Sequence, residues 1–209
     1  MRSLALLLPA LALTAGCDVK ANPSSGFPSN GAALVVRGGP LPLGADQAAA
    51  VAGAAACTPS GAPPYALAWG EVIASDEAGV CDLLLAGEEK SSRLTIRVLV
   101  ALPGPAGSAV SLSTGAYPVA AAPGDGTGPW AMLSVLASDR LCQLGEIPAA
   151  DGVVSLTAVE AGHLQGTVEA DLAGGGTVLG AFGVDLCAAT LAGDACAGAP
   201  ALASPTCAP

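Results

Sequence analysis

The chain has 209 residues, 52% of them hydrophobic and 11% charged; it is too apolar for an intrinsically disordered protein and long enough to bury a sizeable core. Only 3% is aromatic, namely Phe27, Tyr65, Trp69, Tyr117, Trp130 and Phe182, so alanine, leucine and valine carry the apolar total. The net charge is −10 and the one close basic group, Lys90, Arg93 and Arg97, has Glu88 and Glu89 beside it, so no nucleic-acid partner is expected.

Residues 1–17 read MRSLALLLPALALTAGC. Arg2 supplies a positive end and Leu4 to Ala15 an apolar stretch, the pattern of a signal peptide and too short to span a bilayer. The end of this leader, Leu13-Thr14-Ala15-Gly16-Cys17, resembles the lipobox of bacterial lipoproteins, with Thr14 standing where that pattern most often has leucine. The resemblance implies cleavage before Cys17, lipidation of its sulfur with two acyl chains of the palmitate kind, and acylation of the new amino group. Two or three chains hold a protein durably where one does not. The stretch DVKANPSSGFPSNG that follows, residues 18–31, is rich in Pro, Ser and Gly without an apolar period, and reads as a flexible tether. Asp18 resembles the inner-membrane retention residue of enteric lipoproteins, a rule that differs between lineages. The expected location is the cell envelope, at the outer membrane or cell surface rather than the inner membrane. The expected organisation is a signal peptide (1–16), a lipidated cysteine with its tether (17–31), an all-β domain (32–189) and a cysteine-containing tail (190–209).

Along the domain the first candidate strand is Ala32 to Arg37. Gln47 to Ala56 could form one helix capped by Asp46, although Gly53 interrupts it and its small side chains could bury little. Tyr65 to Ala74 and Val80 to Ala86 read as strands. From Arg93 to Leu102 the apolar residues Leu94, Ile96, Val98, Val100 and Leu102 alternate with Arg93, Thr95 and Arg97, and Pro103 and Pro105 are expected to stop the strand. Tyr117 to Ala120 and Ala131 to Ala137 follow. The clearest pattern is a three-strand meander. Val154, Leu156 and Ala158 alternate with polar residues up to the Ala161-Gly162 turn. Leu164, Gly166, Val168, Ala170 and Leu172 then alternate with His163, Gln165, Thr167, Glu169 and Asp171. After Gly174-Gly175-Gly176 the return strand carries Val178, Gly180, Phe182, Val184 and Leu186 on one side. The fold class expected is all-β, an antiparallel sandwich or barrel of roughly 8 short strands with at most one short helix.

The segment GVVSLTAVEAGHLQGTVEADLAGGGTVLGAFGVDLC is similar to the C-terminal hairpins of cell-envelope lipoproteins of the myxobacterial type. In these a G-x-V-x-L strand precedes strands containing G-T-[FV] and G-x-F and then a cysteine. The matching residues are Gly152 to Leu156, Gly166-Thr167-Val168, Gly180-Ala181-Phe182 and Cys187, with Gly115-Ala116-Tyr117 as a further echo. These are structural glycines and aromatics. The resemblance implies an exported β domain and no enzymatic activity.

Besides Cys17, the chain has Cys57, Cys81, Cys142, Cys187, Cys196 and Cys207. An even set in an exported chain reads as three disulfides, which could pair in fifteen ways; the pairing expected for the tail is Cys196 with Cys207. No two are close enough for a zinc site, and no metal or other cofactor is expected. His163 is the only histidine and reads as an exposed residue on a polar face, without a nucleophile for a triad. Glu169 and Asp171 read as solvated edge charges rather than a glycosidase pair. Asp125-Gly126-Thr127-Gly128, with Asp76 and Glu77 elsewhere, reads as turn chemistry rather than a calcium loop. Trp69, Trp130 and Tyr117 are core aromatics that could alternatively line a ligand cleft. The leading expectation is a non-enzymatic lipoprotein, anchored to the membrane through Cys17, with a structural or interaction role and no catalytic residues. Its alternatives are a β protein binding a small apolar ligand, which needs a pocket between those aromatics, and a hydrolase, which needs His163 or an acid pair beside a nucleophile.

Overall fold

The computed structural model describes residues 27–38, 44–76, 78–82, 88–90, 94–138, 144–188, 195–198 and 206–208. Twelve strands are found among them: β1 (Gly31–Arg37), β2 (Gly44–Ala45), β3 (Gln47–Cys57), β4 (Tyr65–Ser75), β5 (Glu88–Lys90), β6 (Leu94–Pro105), β7 (Gly115–Pro118), β8 (Trp130–Ser138), β9 (Leu144–Glu160), β10 (His163–Leu172), β11 (Thr177–Asp185) and β12 (Thr206–Ala208), with one short 3-10 turn at Ala195–Ala197. The protein is all-β, as the alternation of its apolar residues requires.

Ten strands form one sheet in the order β2-β1-β11-β10-β9-β8-β6-β4-β3, with β7 also pairing β9. Its two ends approach each other. Ala50 of β3 bridges Leu186 just beyond β11, the Cys187 N–H donates to the Ala50 carbonyl at 2.7 Å, and the Ala32 N–H donates to the Asp46 carbonyl at 3.2 Å. The sheet thus nearly closes into a barrel, which leaves few unpaired edges. Its interior is filled by the inward side chains of the alternating strands: Leu34 and Val36, Ile96 and Val98, Val154 and Leu156, Leu164 and Val168, and Val178, Phe182 and Val184. Phe182 lies opposite Gly166 in the ladder, and a Cβ at 166 would strike its ring at 2.8 Å. One large residue fills the space of a missing one. The outward residues Thr167, Glu169 and Asp171 are exposed, so this barrel is apolar inside and polar outside, the reverse of a barrel that faces lipid.

The β4-β6 side differs, because it is largely buried on both faces. The outward-facing Ile73, Leu99 and Ala101 are covered like the inward-facing Val72, Val98 and Val100. Two disulfides hold chain across this outer face. Cys57 at the end of β3 is bonded to Cys196 in the 3-10 turn, and Cys81 is bonded to Cys187 just after β11. Val80, Cys81 and Cys187 pack there on Ala49 and Ile73.

Four expectations are corrected. Gln47–Cys57 is a strand whose every residue pairs with β4; its small side chains make no helix face worth burying, and Gly53 is accommodated because the Trp69 ring lies over it, 3.1 Å from where a Cβ would stand. Val80 to Asp82 adopt a helical turn rather than a strand, which brings Cys81 onto Cys187; the remainder of that expected strand lies outside the described residues. β6 runs through Pro103 to Pro105. Its pairing with β8 ends at Ala101, so both prolines sit where the strand has β4 as a neighbour but no longer β8, and a strand edge tolerates the missing N–H. Finally, Cys196 is bonded to Cys57 and not to Cys207, since the 3-10 turn packs on the end of β3. Cys207 lies in β12, which pairs in parallel with β5. Cys17 and Cys142 lie outside the described residues.

Candidate functional site

On the covered outer face, β4 contributes Glu71 and β6 contributes Arg97, two residues out of direct register and so on the same face. Alternation points both side chains outward, where the covering chain buries them to 2% and 7% exposure. The Arg97 Nη2 donates to Glu71 Oε1, while the Arg97 Nε has no hydrogen-bond partner among the described residues. Isolated burial of either charge would be very costly, so their contact is what allows both to be there.

Beside the pair lies a cavity of about 60 Å³, lined by Glu71 and Arg97 together with Met132, Ser134, Glu146 and Gly198. This volume holds a few waters and not a metabolite. Glu146 adds a second carboxylate to the described lining. The arrangement can bind polar solvent and fix the register of β4 against β6. Among the described residues, no histidine or cysteine lines the cavity.

The aromatics named from the sequence divide between two places. Trp130 is buried with Tyr65, Leu67 and Leu99, and Trp69 packs against that group. Tyr117 belongs to the barrel interior instead, where its hydroxyl donates to the Ser113 carbonyl at 2.7 Å and accepts from the Ser113 N–H at 3.3 Å. None of these three lines the cavity beside Arg97.

The loop before β8 has a packing role that its sequence did not disclose. A Cβ on Gly124 would come within 3.0 Å of the Trp130 indole nitrogen, and one on Gly126 within 2.8 Å of the Tyr65 ring; the glycines let the loop lie flat on the aromatic group. Asp125 accepts from the Thr127 hydroxyl at 2.6 Å and from the Thr127 N–H at 3.1 Å. These bonds, the hydroxyl first, hold the Asp125 carboxyl below its usual range. Their contribution is present above the unfolded-state value and disappears as pH falls through the lowered folded one.

His163 is less exposed than its place on a polar face implied. It stands opposite Asp185 in the ladder, its Nδ1 lies 2.8 Å from Asp185 Oδ1, and the two side chains are 25% and 64% exposed. Glu169 and Asp171 are exposed on β10. Among the described residues no three His, Cys, Asp or Glu side chains cluster as a metal site would need, and no helix is long and apolar enough to cross a membrane.

Comparison of the chain with known protein families, with curated proteins and with solved structures returns no match.

Proposed function

We propose that this is an exported lipoprotein of the cell envelope, held to a membrane by acyl chains on Cys17, whose barrel is a rigid structural or interaction module without catalysis. The observation that carries this reading is the pair of disulfides, Cys57–Cys196 and Cys81–Cys187, which are compatible with an oxidising compartment. Such bonds accompany a leader that ends Leu-Thr-Ala-Gly-Cys, and export supplies the route to oxidation. An apolar interior and a buried ion pair, beside a cavity with room only for solvent, favour a scaffold over a catalyst. Metabolic labelling with palmitate in a lipoprotein-processing bacterial host tests the anchor. Label is expected on the wild-type chain in the membrane fraction and absent from Cys17→Ser. An unlabelled wild-type chain in the cytosol would sink the reading.

A further inference from the structure

The residues that lead into β1 are held against the barrel. The Asp185 N–H donates to Asn30 Oδ1 at 3.4 Å, and the Pro28 carbonyl oxygen occupies the place that a Cβ on Gly183 would take. The chain therefore meets the barrel at the end built from the last residues of β11, the first of β10 and the Ala161-Gly162 turn. At that junction stands Phe27, 38% exposed and the only large apolar side chain exposed among the described residues. A lone exposed ring ordinarily needs no explanation. This one lies ten residues after Cys17, a length of chain that reaches at most about 35 Å. A ring on so short a leash meets the bilayer as an intramolecular event, so a weak preference for the apolar boundary suffices to keep it there.

We propose that Phe27 is a second membrane contact. Its ring enters the apolar boundary of the bilayer that holds the Cys17 acyl chains, and the packing of Pro28 and Asn30 on Gly183 and Asp185 turns the His163–Asp185 end of the barrel toward the headgroups. This rests on the lipidation of Cys17 argued above. Charge selects the surface: Asp185 and Glu160 lie at this end on a chain of net charge −10, so zwitterionic headgroups are favoured over anionic ones.

The chain has just two phenylalanines, and Phe182 is fully buried in the barrel, so fluorophenylalanine gives one reporter and one internal control. The lipidated protein is placed in phosphatidylcholine nanodiscs containing lipid spin-labelled near the headgroup boundary, and Phe27→Ser assigns the resonances. Markedly stronger loss of the Phe27 fluorine signal than of the signal of Phe182, which lies about 10 Å further along β11, is the expected result. Persistence of the Phe27 signal beside spin-labelled lipid, and its loss instead to a water-soluble paramagnetic reagent, would overturn the proposal while leaving the anchor intact. A protein that carries no acyl mass and does not enter the discs overturns the anchor, and this contact with it.

Discussion

Glu71 and Arg97 show how a single residue's position decides what its charge is worth. In the sequence Arg97 belongs to an alternating strand, and its polar side is the side expected in water. The structure buries that side under covering chain, so the same alternation places the guanidinium against Glu71 instead of solvent. Removing one member takes the buried ion-pair contact from the other. Arg97→Met alone is expected to cost about 3–5 kcal/mol of folding stability, and Glu71→Leu with Arg97→Met together to recover most of it, because a buried pair exchanged for apolar groups of similar volume is close to neutral. Denaturant unfolding of the two single variants and the double variant measures this coupling; additive losses would contradict it. Trp69 over Gly53 and Phe182 over Gly166 obey the same logic of position. The sequence marks Gly53 as a breaker and Gly166 as a small residue within a strand, and only their cross-strand partners reveal both as receptacles.

At the scale of elements, the strands that were easiest to read were those with one wet face. β10 and β11 alternate between apolar and polar residues, and their boundaries follow from Gly162 and the Gly174-Gly175-Gly176 turn, where Gly175 and Gly176 take φ of +85° and +98°. β3 was illegible because QAAAVAGAAAC has no period to read: alanine and glycine contrast too weakly between faces, and a neighbouring strand decides the conformation. β6 outran its prolines because the loss of a partner at Ala101 is a fact of tertiary pairing. Cysteine pairing was equally hidden. Three disulfides were the expectation for an export-signalled chain with six such cysteines, but Cys57 meets Cys196 across a separation of 139 residues only because the 3-10 turn docks beside the end of β3. A cross-link of such span restricts the unfolded chain strongly, so Cys57→Ser with Cys196→Ser should lower stability by about 2–5 kcal/mol and speed amide exchange first in the second half of β3. Equal stability and unaltered exchange would show that the bond contributes nothing to holding the tail.

For the whole molecule, the features combine into a nearly closed body braced by two disulfides. The sheet nearly closes on itself, its interior is lined by apolar side chains, and its thickest side is covered by chain that two disulfides secure. The candidate site beside Arg97 could not be foreseen from the sequence, because nothing in a strand's alternation announces that its polar face will be roofed. The anchoring motif, by contrast, is wholly a matter of sequence, since Cys17 lies outside the described residues. The measurement that joins the two is the intact mass of membrane-extracted protein, taken with and without reduction after blocking free thiols. The account predicts a chain that begins at Cys17 with acyl mass attached, in which Cys57, Cys81, Cys187 and Cys196 take up the blocking reagent only after reduction. A chain that still carries residues 1–16, bears no acyl group and has those four thiols free at the outset would contradict it.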